Sequence, residues 1–166
     1  MRKFLFVILV CAGAGFFLFK KRGGSDSGIE VGPASINSAN VIVYTGPHAK
    51  AQKLWKLHQK NWPIYVLEIS KNWVRIVDAY NTSGWMRKIY VGNPYVLILE
   101  DLEFADSHGK IEVKILKNSL VRLAKLPVIA DGNMVKISVD MHFGAKEYWV
   151  NSDKIWIGPN PLVVKS

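Results

Sequence analysis

The chain has 166 residues, 49% of them apolar and 11% aromatic, which is enough to fill one ordinary core or two small ones and too apolar for a disordered segment. Its formal charge of +9 overstates the folded part, because five of the 22 bases flank an N-terminal apolar run; the other 17, set against 13 acids, leave +4 over residues 23–166, too little for a nucleic-acid footprint. The single cysteine, Cys11, lies inside that run, so a disulfide framework, a zinc site built on thiolates and a cysteine nucleophile are all excluded from the remainder.

The N-terminus reads MRKFLFVILVCAGAGFFLFKKRGG, with bases on both sides of sixteen uncharged residues, Phe4 to Phe19. As a hydrophobic helix these would span about 24 Å, short of the roughly 30 Å hydrocarbon core unless the flanking Lys and Arg stems snorkel. Two readings of residues 1–22 stay open. Ala12-Gly13-Ala14 offers a cleavage site, making the segment a signal peptide. Cleavage would leave an apolar new end, GFFLFKKR, which favours instead an uncleaved membrane anchor through residues 4–19. Val10 stands where a lipidated cysteine would need a small neighbour. Either way the chain is expected to be exported, to the periplasm or another extracytoplasmic site, free or anchored in the inner membrane. A tail facing the cytoplasm is the exception.

Residues 23–39 are Gly- and Ser-rich without a period and read as a flexible linker. From Asn40 onward, short apolar runs are broken every six to twelve residues by turn signals such as Thr45-Gly46-Pro47, Lys71-Asn72 and Gly92-Asn93-Pro94, the rhythm of an all-β barrel or sandwich. The segment at 49–60 is expected to be a loop running into a strand. Alternation is clean at Ile111, Val113, Ile115 and at Val135, Ile137, Val139.

The pattern also repeats. NWVRI at 72–76 is followed by Trp85; NMVKI at 133–137 is followed by Trp149. Upstream, Lys60-Asn61 precedes WPIYVLEI and Lys117-Asn118 precedes SLVRLAKL, while KLWKLH and EVKILK come before each pair. The predicted organisation is therefore two small units, 40–94 and 95–159, with a tail at 160–166.

This succession resembles the bacterial SH3-like family, small β-barrels found in tandem in exported proteins. VIVYTGP at 41–47, NWVRI at 72–76 and Gly84-Trp85 carry the likeness in the first unit, and DKIWIG at 153–158 resembles the close of a second barrel. The chain departs from the family pattern where His48 follows the Gly-Pro turn, where Met134 replaces the Trp of the central strand, and where Tyr148 precedes Trp149. The resemblance implies an all-β fold of two tandem SH3-like small barrels after an N-terminal hydrophobic helix. It also implies binding rather than catalysis, often of cell-wall peptide or glycan.

The four histidines, His48, His58, His108 and His142, are scattered without metal-ligand spacing, and no nucleophile elbow occurs, so neither enzyme activity nor a metal or other cofactor is expected. Acids at 100–106 are read as a solvated edge. Trp73, Trp85, Trp149 and Trp156 are expected to fill the two cores. A candidate ligand groove in the first barrel is assigned to Tyr44, Trp55, Trp62 and Tyr80, with Lys56 and Lys60 favouring acidic groups; the competing expectation is that Trp55 and Trp62 plug the barrel end. The expected partner is cell-wall peptide or glycan, or an envelope protein for which the barrels act as a structural adaptor without a small ligand. Nucleic acid is the remotest option.

Overall fold

The computed structural model describes residues 28–124 and 133–159. The expected signal peptide or anchor (1–22) and the tail (160–166) lie outside the described residues. Among the described residues no helix is long and apolar enough to cross a membrane.

The described chain is all-β. Seven strands form the first half: β1 (Gly32–Ile36), β2 (Val41–Tyr44), β3 (Lys53–Leu57), β4 (Pro63–Ser70), β5 (Trp73–Asp78), β6 (Ser83–Arg87) and, after a 3-10 turn at Lys88–Tyr90, β7 (Val91–Gly92). They make one sheet in the order β3-β2-β6-β5-β4-β1-β7, curled around its own core. Seven more follow: β8 (Tyr95–Ile98), β9 (Leu102–Ala105), β10 (Ile111–Ile115), β11 (Leu120–Leu123), β12 (Met134–Met141), β13 (Gly144–Asn151) and, after a 3-10 turn at Ser152–Lys154, β14 (Ile155–Trp156). Here β13-β12-β11-β8-β14 form one sheet and β10-β9 a separate hairpin.

The antiparallel pairings of the first half recur in the second. β1 pairs with β4 and β7 as β8 pairs with β11 and β14. The β4-β5-β6 meander matches β11-β12-β13 down to its register: Arg75 faces Trp85, and Lys136 faces Trp149. The halves differ where Tyr44 pairs with Trp85, joining the β2-β3 hairpin to the main sheet; β9-β10 has no such bridge.

Alternation explains the cores. Val41 and Val43, Val74 and Ile76, and Met86 point inward to meet Ile36, Leu57, Ile64 and Val66. A separate cluster is made by Val96, Ile98, Val121, Val135, Ile137, Tyr148 and Val150 with their neighbours. Each half thus buries its own apolar face.

One expectation changes. The segment 23–39 is not linker throughout, because Gly32–Ile36 is β1, with Ala34 and Ile36 in the core. Its Gly-Pro-Ala-Ser composition resembles a tether, but Ser35 is buried and its hydroxyl donates to the Asn93 carbonyl, which satisfies the polar atom.

The halves touch through β1 and β4 against β8. Gly158 lies flush on the Tyr65 ring, so close that an added Cβ would overlap it. Val77 and Leu97 are buried yet belong to neither core; Val77 is in register with Tyr65 and Leu97 with Trp156.

Candidate functional site

The six residues expected to share a groove are distributed over different faces. In β2 the core takes Val41 and Val43, so Tyr44 projects from the outer face, where its ring meets the edge of Trp73 at 5.5 Å and 90°. Trp55 is in register with Val43 and faces inward, half-buried against the first core. Lys56, its neighbour on β3, is exposed on the opposite side. Lys60 is exposed in the turn before β4.

Trp62 and Tyr80 do come together. Their rings stack with centroids 5.4 Å apart and 27° between planes, within the range of an offset aromatic pair. Trp62 also packs on the first core, while Tyr80 is 75% exposed. The indole Nε1 of Trp62 is buried with no hydrogen-bond partner, as is that of Trp55. A buried N–H without an acceptor costs about 1–3 kcal/mol.

Tyr80 sits on a stiff turn. Asp78 is 2% exposed, and its Oδ1 accepts from the Tyr80 amide (3.0 Å), the Thr82 amide (3.0 Å) and the Thr82 hydroxyl (2.6 Å). Asn81 closes the turn at φ 59°, a left-handed conformation that Asn tolerates. An exposed aromatic is thereby presented with little freedom to lose on binding, the property of a contact platform. Sequence reasoning passed over Asp78, although an Asp opening the turn DAYNT is the usual signature of a side-chain-closed loop.

Of the four tryptophans assigned to the cores, Trp73 is buried and the other three are half-buried or exposed. Trp73 is 8% exposed but lies on the outer face, covered by Tyr44 and by the Arg87 guanidinium 4.8 Å over its ring. Trp85 is half-buried on the same face, because Gly84 and Met86 take the inward positions of β6. Trp149 is 48% exposed, with the Lys136 ammonium 5.1 Å over its ring. Trp156 is half-buried and turned away from Ile155, which fills the second core. The strand period decides all four: the neighbours of each Trp are the smaller residues that fit inside.

Among the described residues no three His, Cys, Asp or Glu side chains gather as metal ligands would. The second half has a shallow cavity of about 560 Å³ between Asn93, Arg122, Ser138 and Glu147, where Arg122 lies 3.4 Å from Ser138 and 3.6 Å from Asp140.

Residues 37–91 match the profile of the family described as bacterial SH3 domain. The matched region begins just after β1, ends in β7, and holds the Trp62–Tyr80 pair, the Asp78 turn and the Trp73 face. No curated protein matches the chain. Among solved structures, an NlpC/P60 family protein from Bacillus cereus ATCC 10987 aligns with 75% of this chain at 11% identity and a TM-score of 0.34. The aligned part is 55% of that protein, and likeness at this level carries no argument about fold or activity.

Proposed function

We propose that this protein is a non-catalytic binding module of the bacterial cell envelope, and that its bacterial SH3 region holds cell-wall peptide or glycan against Tyr80 and Trp62. The observation that carries the reading is the Trp62–Tyr80 stack, in which one ring is anchored on the core and the other is presented to solvent by the Asp78 turn. A flat, rigid, half-exposed aromatic pair suits the apolar face of a sugar or the side of a short peptide. Lys60, two residues before Trp62, adds a cation suited to a peptide carboxylate. The second half, which repeats most of these pairings around its own core, is a divergent second SH3-like barrel. Residues 4–19 hold the protein at the membrane, with the barrels outside the cytoplasm.

The test is co-sedimentation of the full chain, in mild detergent, with isolated cell-wall sacculi at low and moderate salt. Tyr80→Ala runs beside it, since removing so exposed a side chain leaves the fold intact by circular dichroism. Binding that survives moderate salt and drops about tenfold in Tyr80→Ala supports the platform, as expected when a rigid aromatic anchor is truncated. Wall binding unchanged in that variant sinks it.

One observation favours the structural adaptor. Phe143, at the tip of the β12-β13 hairpin, is fully exposed and meets only the edge of His142 at 5.1 Å. A bare aromatic on a projecting hairpin suits a protein partner. Absence of sacculus binding, together with a cross-link from position 143 to an envelope protein, would establish this reading instead.

A further inference from the structure

The two halves differ in charge. Residues 28–92 hold eight bases against three acids, a balance of +5, whereas residues 93–159 hold eight against nine, a balance of −1. Five ion pairs occur among the described residues, and all five join partners in the second half. Among the described residues no base of the first half has a carboxylate within ion-pair distance.

Strand register shows where part of this charge lies. Directly paired residues project to the same side of a sheet. Lys56 is paired with Ile42, Tyr44 with Trp85, Trp85 with Arg75, and Arg87 with Trp73. Their chain neighbours, Val43, Leu57, Val74, Ile76 and Met86, fill the core. The outer face of β3-β2-β6-β5 therefore presents three exposed cations, Lys56, Arg75 and Arg87, beside the half-buried rings of Tyr44 and Trp85, with Trp73 buried beneath Tyr44 and Arg87. Glu68, opposite Arg75, is the one acid in register with it. Four strands make this face about 14 Å across.

Cations beside amphipathic aromatics on one sheet face match the headgroup layer of a bilayer. Lys and Arg meet phosphates there, while Trp and Tyr rings settle at the boundary between polar and apolar regions. The chain also supplies proximity. Residues 20–31 separate the apolar run ending at Phe19 from β1, and fully extended they reach at most about 40 Å. A surface held that close needs only weak attraction to be occupied most of the time.

We propose that the outer face of β3-β2-β6-β5 docks on anionic phospholipid headgroups. The proposal rests on the anchor reading of residues 4–19 for its proximity, but not for its charge, and it uses a surface other than the Trp62–Tyr80 platform. Docking orients the molecule: the basic half lies on the bilayer and the near-neutral second half, with Phe143, projects from it.

The experiment reconstitutes the full chain with nanodiscs of phosphatidylcholine alone or with about a third phosphatidylglycerol, a content that gives a clearly negative surface. Lysine acetylation is then read by mass spectrometry, with Lys56 reporting on the face and the exposed Lys110 and Lys117 as internal controls in the second half. At low salt, labelling of Lys56 should fall about threefold in anionic discs and recover at high salt, as a screened surface attraction does. Arg75→Gln with Arg87→Gln should return Lys56 to its neutral-disc rate. Co-elution of the chain with neutral discs separately reports the anchor. A chain that co-elutes only with anionic discs loses the anchor reading and keeps the docking face. Equal Lys56 labelling in both lipids, equal protection of Lys110 and Lys117, or no co-elution with either disc overturns the proposal.

Discussion

The Asn61 amide donates to the Ile36 carbonyl at 2.8 Å, and the Asn118 amide donates to the Ile98 carbonyl at 2.8 Å, each Asn standing in the left-handed region at φ 65° and 67°. The next residue in each half, Trp62 or Ser119, returns its carbonyl to the amide of Ile36 or Ile98 and donates its own amide to Gln59 or Leu116. One turn geometry is built twice with different side chains around it.

That turn sets a first prediction. A β-branched residue at φ 65° is strained, so Asn61→Val should cost about 1–2 kcal/mol, while Asn61→Gly should stay within about 0.5 kcal/mol. Urea denaturation of both variants decides it. Equal losses would mean that the Asn side chain, and not the backbone, holds the turn.

Glycines mark two other close approaches. A Cβ on Gly84 would stand 2.5 Å from Val43 Cγ1 and 3.0 Å from the Tyr44 carbonyl oxygen, so Gly84→Ala should destabilise the first half by about 1–3 kcal/mol. On Gly158 (φ 137°) the Cβ would strike Tyr65, the contact between the halves. Gly158→Ala should leave both cores intact and separate their unfolding, giving two calorimetric transitions. A single shifted transition would refute that.

The tryptophans give a third. Trp73→Ala removes a ring that Tyr44 and Arg87 cover and should cost about 2–4 kcal/mol. Trp149→Ala exposes little that was hidden and should cost less than about 1 kcal/mol. Comparing melting curves of the two variants is enough.

Much of the fold was legible because local chemistry wrote it down. The Lys-Asn pairs, the period-2 runs and the matching Trp85 and Trp149 positions mark the repeat, and the structure pairs those strands in the same register. What escaped depended on contacts across the sheet. β1 hides in a Gly- and Ser-rich stretch because its stability comes from pairing with β4 and β7, not from its own composition. Tyr44 and Trp55 look like groove neighbours in the chain, yet their alternation puts them on opposite faces of one hairpin. Tyr80 and Trp62, eighteen positions apart, are assigned to one groove from the sequence and do meet, where the Asp78 turn folds over the start of β4.

Alkaline titration should distinguish the halves. Hydrogen bonds from Lys114 to Glu103 (2.9 Å), from Lys154 to Glu100 (2.7 Å) and from Lys146 to Glu112 hold these three ammonium groups protonated above the usual 10.5. A raised lysine pKa contributes stability that is complete below 10.5 and fades as pH climbs through the folded value. All three pairs are exposed, so the effect is small and salt-screened. The expected result is that wild type and a triple Lys→Gln variant differ near pH 8 and draw together as pH climbs past 10.5 in thermal melts at low salt. Parallel curves across that range would show the pairs to be energetically idle.

Asp78 offers the sharpest link between fold and binding. Its single oxygen gathers three donors, two of them backbone amides, so Asp78→Ala strips the turn of its organiser and leaves those amides to water. The expected cost is about 2–3 kcal/mol, since hydrogen bonds to a charged acceptor are the stronger kind. Asp78→Asn keeps an oxygen for the two amides and should cost about half as much. Because Tyr80 is held in place by this turn, both variants should weaken sacculus binding in the same order as they lose stability, while Tyr80→Ala weakens binding with stability nearly intact. If Asp78→Ala melts early but still binds the wall as wild type does, the rigidity of the turn has no part in recognition, and the Tyr80 ring finds its ligand from a mobile loop.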